Sequence, residues 1–277
     1  MLNNETTYPF CDLALAQRLE RVEAQANIDF VEERAAMFPD SGARWVEVGG
    51  TRAMYDGVDS PLTQTFCLGV YQPVTPADMD TIEAFYQERG APVYHEVSPV
   101  ADPTALELLN ARGYQPMEFT SVMCRPIGPD IQLAGQRNQD IQVRVIDESE
   151  VETWAGTATR GWSEHEEFAH MILELSRISA RCANGYSFLA ELDGQPVAAG
   201  GLRVTNGVAL LAGASTIPEA RRHGAQRALL EARLAFAATR GCDLAMMCAA
   251  SGSGSQRNAE RQAFRIAYTR IKWRKVN

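Results

Sequence analysis

The chain has no Cys-x-x-Cys pair, no long apolar run and no excess of positive charge. Each absence removes a class of protein. Its six cysteines (Cys11, Cys67, Cys124, Cys182, Cys242 and Cys248) are scattered without paired short spacings, which argues against a zinc ribbon or a dithiol redox motif. Nothing approaches the ~18 consecutive apolar residues of a membrane span. The first residues, Met-Leu-Asn-Asn-Glu-Thr-Thr, have neither a basic start nor an apolar stretch, so a secretory signal is not expected. A reducing cytoplasm with free thiols is the expected setting. The formal net charge of −9 and a pI near 5.1 disfavour a nucleic-acid surface, which needs clustered positive charge. Any anionic ligand must then be met by a local basic patch.

What is present is an ordinary globular balance, 45% hydrophobic and 22% charged over 277 residues, enough for two domains of roughly 100–200 residues. The composition changes between Pro126 and Ile141, where Pro-Ile-Gly-Pro-Asp leads into a polar, aperiodic stretch. Such a stretch reads as a linker, giving segments 1–126, 127–140 and 141–277.

In the last segment, Ser187–Leu192 and Val197–Val204 flank Asp193-Gly194, the pattern of a hairpin. Val208–Ala214 is a third apolar run. A helix is expected over Arg222–Arg240, stopped by Gly241, then a strand at Leu244–Cys248, a helix at Ser255–Ala263 and a strand at Phe264–Lys272. The first segment repeats the end of this order. Strands are expected at Arg44–Tyr55, Gln64–Val70, Val93–Val97 and Met117–Met123, with helices at Pro76–Arg89 and Thr104–Arg112. Leu106–Tyr114 aligns with Gln256–Phe264, and Phe119–Val122 with Tyr268–Ile271. Two copies of one mixed α/β unit is the economical reading, with chance likeness of short amphipathic helices as the alternative.

The informative motif is Ile217-Pro218-Glu219-Ala220-Arg221-Arg222-His223-Gly224-Ala225-Gln226-Arg227. A buried strand enters a basic turn with a glycine, and a helix follows. Helix N-termini present unpaired N–H groups along the positive end of the dipole, so this arrangement is an anion cradle. It is neither a Walker loop nor a Gly-x-Gly-x-x-Gly turn.

Arg221 to Gln226 resembles the acetyl-CoA loop of the GNAT superfamily of N-acetyltransferases, R/Q-x-x-G-x-G/A, with Gln226 departing at the last small position. Ser253–Asn258 and Ala263-Phe264 are similar to that family's later helix and its closing Gly-Phe. The resemblance implies two tandem GNAT-like domains, each a mostly antiparallel mixed sheet flanked by helices, with the first degenerate. It implies acetyl-CoA as co-substrate, no metal, and an amine acceptor attacked directly. Ser215, Thr216, Ile217, Arg221, Arg222, His223, Gly224, Ala225, Gln226, Arg227 and Asn258 are the implied coenzyme contacts. The oxyanion is assigned to backbone N–H groups near Ala214, Ser215 and Ile217. Trp162, Glu164 and Glu166 are the acceptor-side candidates. The family's acidic Tyr is missing from the later helix, which leaves Tyr268, Ser251, Ser253 or a water. Tyr268 is also read as a packed core aromatic.

The equivalent turn in the first segment, residues 71–80, has no Gly or Arg and carries Asp78 and Asp80 at the helix start. Those carboxylates cap the helix and repel pyrophosphate. A coenzyme-sensing module without catalysis is the alternative function, and a regulator binding other nucleotides a third. The histidines of Gly161–His170 are five apart, so a solvated amphipathic helix is expected there rather than a metal site. His95 is read as a hydrogen-bonded sheet residue and Cys248 as core. A monomer or a homodimer is compatible with the pattern.

Overall fold

The structure is a computed structural model that describes residues 7–129, 131, 133, 138–163 and 166–276. In chain order its elements are α1 (Leu13–Met37), β1 (Arg44–Val48), β2 (Thr51–Tyr55), β3 (Gln64–Phe66), α2 (Pro76–Gln87), β4 (Tyr94–Val97), α3 (Pro103–Ala111) and β5 (Tyr114–Pro126). There follow β6 (Ile141–Val145), α4 (Val151–Arg160), α5 (Ala169–Ser179), β7 (Gly185–Leu192), β8 (Gln195–Thr205) and β9 (Val208–Thr216). The last are α6 (Ala225–Thr239), β10 (Leu244–Ala250), α7 (Gly254–Arg261) and β11 (Arg265–Lys275).

These elements form two compact units. Unit 1 holds the chain to Met123 together with Cys248–Arg257 and from Arg265 onward; unit 2 holds Cys124–Met247 and Asn258–Phe264. The division is therefore not the contiguous one that a linker at 127–140 suggests. β11, expected to complete the second half, pairs antiparallel with β4 of unit 1, Ile271 facing Val97 and Trp273 facing His95.

In unit 1 the strands run β1-β2-β3-β4-β11-β5. Residues 44–55, expected as one strand, fold back at Gly49 and Gly50, both at positive φ, to give the β1–β2 hairpin. Alternation sends opposite faces of the sheet to different helices. Met54 and Phe66 pack with Ala24, Ile28 and Val31 of α1. On the other face Ala53, Val97 and Trp273 pack with Met79, Ile82 and Tyr86 of α2 and Leu109 of α3. The helix α1 has no counterpart in the sequence reading, because its apolar stripe is interrupted by Glu20, Glu23 and Arg34, all of which find partners inside the fold.

Unit 2 has the strand order β10-β9-β8-β7-β6, with β9 and β10 parallel and the rest antiparallel. Leu189 and Ala199 face Trp154, Ala155 and Ala158 of α4, and the Trp154 indole N–H donates to the Phe188 carbonyl. Phe188, of opposite parity, stacks edge-on with Phe236 of α6 at 5.4 Å. A mixed α/β fold with a mostly antiparallel sheet flanked by helices results.

Candidate functional site

Unit 2 builds its site where β9 leaves its neighbours. β9 pairs with β10 at Val208, Ala209 and Leu210, and among the described residues the parallel register ends there. On its other edge the register with β8 shifts between Ala199 and Gly201, giving β9 one extra residue at Gly213, which sits at φ +61°. A bulge of this kind bends the strand. Arg233 of α6 holds the bend. Its guanidinium is buried and donates to the carbonyls of Gly201 at 3.0 Å, Ala212 at 3.4 Å and Leu229 at 3.2 Å. Burial pulls its pKa down to about 10. Sequence reasoning missed Arg233, although an arginine four residues from both Leu229 and Ala237 on an apolar face is a visible signal.

Beyond the bulge the ladder settles which N–H groups are spoken for. The Ile217 N–H donates to the Val197 carbonyl at 3.0 Å, so it is not an oxyanion donor as expected. Antiparallel hydrogen-bonded pairs recur every second residue, and the registers Ala198–Thr216 and Ala199–Ser215 turn the Ser215 N–H to β8 as well. The Thr216 N–H is directed away from β8. The Ser215 hydroxyl is also engaged, donating to the Ala158 carbonyl at 2.9 Å. At the end of α4, Gly161 lies directly against this segment. A Cβ there would stand 2.3 Å from Ser215 Oγ and 3.1 Å from the Thr216 nitrogen.

The turn into α6 has the backbone of an anion nest. Arg222 adopts φ +68° and Gly224 φ +91°, left-handed values that leave successive N–H groups on one side. Gly224 is the N-cap of α6, and no side chain caps that terminus. The helix therefore begins at Ala225 rather than Arg222. The Asn138 side-chain amide donates to the His223 carbonyl at 3.1 Å, fixing the outer side of the turn. Arg222, His223 and Gly224 are exposed, and Ala225 is buried.

The neighbouring side chains divide into those facing outward and those used internally. Arg221 donates to the carbonyls of Thr216 at 3.4 Å and Gly161 at 3.3 Å, binding the turn to the end of α4. Gln226 donates to the Thr216 hydroxyl at 2.9 Å. Arg227 points back along its helix to the buried Glu231 at 2.7 Å, so its guanidinium is committed away from the turn. Asn258 is exposed on α7. Trp162 is 45% exposed just after α4. Glu164 lies outside the described residues; Glu166 falls in a short 3-10 turn of residues 166–168, and its side chain is not described. The expected helix over 161–170 is not one helix: Gly161 closes α4, residues 166–168 form a 3-10 turn and α5 starts at Ala169.

Tyr268 belongs to unit 1. It is buried, and its hydroxyl donates to Glu20 at 2.7 Å, with burial foremost in raising its pKa well above the usual value. It is a core tyrosine of unit 1. Cys248 is likewise engaged, its thiol donating to Glu23 at 3.1 Å. His95 is buried with Nδ1 2.8 Å from the Thr65 hydroxyl, while Nε2 has no partner. The helix of unit 1 that the sequence reading set against α6 is closed at its start. In α2 the Thr75 hydroxyl accepts from the Asp78 N–H and the Asp78 carboxylate accepts from the Thr75 N–H, a complete capping box. Among the described residues no three His, Cys, Asp or Glu side chains converge as a metal site, and no helix is long and apolar enough to cross a membrane.

A bulged strand parting from a parallel neighbour is followed by an uncapped helix behind an Arg-x-x-Gly turn. Residues 149–264 match the model of the acetyltransferase (GNAT) family. Solved structures of the same fold include a GCN5-related N-acetyltransferase from Kribbella flavida, with 19% identity over 95% of this chain and 96% of that one at a TM-score of 0.63. A tandem GNAT protein from the clavulanic acid biosynthesis pathway aligns over 98% of this chain and 97% of its own at 13% identity and a TM-score of 0.57. A GCN5-related N-acetyltransferase from Sphaerobacter thermophilus covers 76% of this chain and 71% of that chain, with 19% identity and a TM-score of 0.53. No curated protein matches the chain.

Proposed function

We propose that unit 2 is an N-acetyltransferase that carries an acetyl group from acetyl-CoA to an amine. The observation that carries this reading is the uncapped N-terminus of α6 behind Arg222 and Gly224. Its first N–H groups receive the coenzyme diphosphate, helped by the dipole and by the exposed Arg222. The backbone of Arg222–Arg227 does the binding, while Arg221 and Gln226 hold the turn to Thr216. The Thr216 N–H takes the oxyanion role first assigned to Ser215, because it alone of residues 215–217 is turned from β8. The amine enters near Trp162, in the break between α4 and α5.

The reaction needs the two substrates positioned, the amine deprotonated and the developing oxyanion held. With Tyr268 in the core of unit 1, a water passes the proton to the leaving thiolate. Unit 1 does not bind the coenzyme, because Thr75 and Asp78 already satisfy the start of α2. The first segment is then a degenerate copy that supports the second. The six free cysteines among the described residues suit a reducing cytoplasm, and a monomer or homodimer serves equally.

The missing tyrosine on α7 favours one rival, a coenzyme sensor without turnover. Release of free thiol from acetyl-CoA, followed across a panel of small amines and peptide N-termini, separates them. Amine-dependent thiol release supports the transferase; saturable coenzyme binding with no release from any amine makes the protein a sensor.

A further inference from the structure

A polar cavity lies in unit 1, lined by residues outside the α6 motif. The pairing Thr65–His95 sets Gln64 and Phe66 on the same sheet face as Tyr94 and Glu96, and the register Lys272–Glu96 adds Lys272 to that face. The helix α1 covers Phe66. Farther along this face, a cavity of about 300 Å³ opens between Gln64, Tyr94, Lys272, Glu118 and the loop from Val58 to Thr63.

The loop wall is built rather than slack. Asp56 pairs with Arg34 and accepts from the Ser60 hydroxyl at 2.5 Å. Thr63 accepts from the Asp56 N–H at 3.0 Å and donates to the Gly57 carbonyl at 2.6 Å. This network fixes Asp59 and the apolar Val58 and Pro61 at the rim. Inside, Gln64 is only 7% exposed, and its Oε1 has no hydrogen-bond partner. A buried unpaired carbonyl costs on the order of a hydrogen bond or more, so a donor from outside the chain would relieve it.

The charges select the donor. The Lys272 ammonium is shared between Glu96 at 3.3 Å and Glu118 at 3.7 Å, which leaves the cavity, with Asp59 and Glu118 on its wall, short of positive charge. An anion would meet those carboxylates. An ammonium group supplies both the missing charge and the N–H that Gln64 lacks, and Val58 and Met117, both exposed, offer surface for a short hydrocarbon body. The volume is at the small end of ligand cavities. We propose that this cavity binds a small primary amine, its ammonium on Gln64, Asp59 and Glu118. The proposal stands independently of the transferase reading of unit 2.

The test is a titration of the full chain, ¹³C-methyl-labelled at methionine, with butylammonium chloride and, separately, sodium butyrate. The Met117 resonance is identified from Met117→Leu. The expected result is a saturable shift of Met117 with butylammonium in the millimolar range and none with butyrate. Glu118→Gln, at a half-exposed position, and Gln64→Leu should each weaken the amine about tenfold. Gln64→Leu should also melt no lower than the parent, because it removes an unpaired carbonyl. An unmoved Met117, an equal response to butyrate, or amine affinity unchanged in Glu118→Gln would overturn the proposal. An amine that acted only at unit 2 would leave Met117 still.

Discussion

At the scale of single residues, two glycines set the candidate site, for different physical reasons. Gly224 is needed for its backbone, since φ +91° is a value that side chains with a Cβ tolerate poorly. Gly161 is needed for its lack of volume. A methyl group there collides with Ser215 Oγ at 2.3 Å and Ser215 Cβ at 2.4 Å. Gly161→Ala should therefore destabilise the protein by ~1–3 kcal/mol in urea melts. Adding Ser215→Ala should not restore it, because the Cβ collision survives. A neutral Gly161→Ala would mean that α4 does not end against β9. Gly224 stood out in the sequence because arginines surround it and a helical period follows. Gly161 did not, because nothing in its neighbours announces what a distant strand brings against it. The same holds for Ser215 and Ile217: a strand's parity is set by its partner's register, so sequence alone does not say which N–H groups turn toward β8.

At the scale of elements, α1 brings Glu20 and Glu23 onto Arg270 of β11, which also pairs with Glu96 of β4 at 2.9 Å. Burial, only partly offset by Arg270, lifts the Glu20 pKa to about 7 from 4.5. For Glu23 burial is the largest single influence, but the charge and hydrogen bond of Arg270 together with Cys248 and Lys272 overcome it and hold the carboxyl below its usual value. On β4, burial and then Lys275 push His95 down to about 3 from 6.5. The two shifted groups act in opposite senses. Glu20 binds its proton more tightly when folded, so its contribution is full below pH 4.5 and fades as pH rises through 7. His95 binds its proton less tightly when folded, so its contribution is full above pH 6.5 and is lost toward pH 3. They overlap between pH 4.5 and 6.5, where each has a slope of up to ~1.4 kcal/mol per pH unit. Glu20→Gln should leave His95 unopposed. Its unfolding free energy relative to the parent should then rise with pH across that window, and profiles that stay parallel would remove Glu20 from the account. The network also explains why α1 escaped the sequence reading: its charged residues look solvated until Arg270, some 250 positions later, is brought to them.

At the scale of the whole molecule, the order of strands and helices in the second segment was legible from Ser187 onward, while β6, α4 and α5 before it were not assigned. Its hairpin had a two-residue Asp-Gly turn, and α6, β10 and α7 followed with ends set by glycine or a change of period. The assignment of β11 was not legible. Phe264–Lys272 reads as a strand, but which sheet it joins depends on pairing that no local pattern records. A chain ending at Phe264, where the family match stops, should lose the strand between β4 and β5 together with Arg270. It should show disrupted unit 1 by circular dichroism and hydrogen exchange; intact protection of β4 amides would contradict the placement of β11. The central claim concerns the main chain of residues 222–227, and calorimetric titration with coenzyme A tests it most directly. The account predicts one site per chain, a loss of at least about tenfold in Gly224→Val, and no change in Thr75→Ala. Two sites per chain, an unaffected Gly224→Val, or no heat at millimolar coenzyme would contradict it.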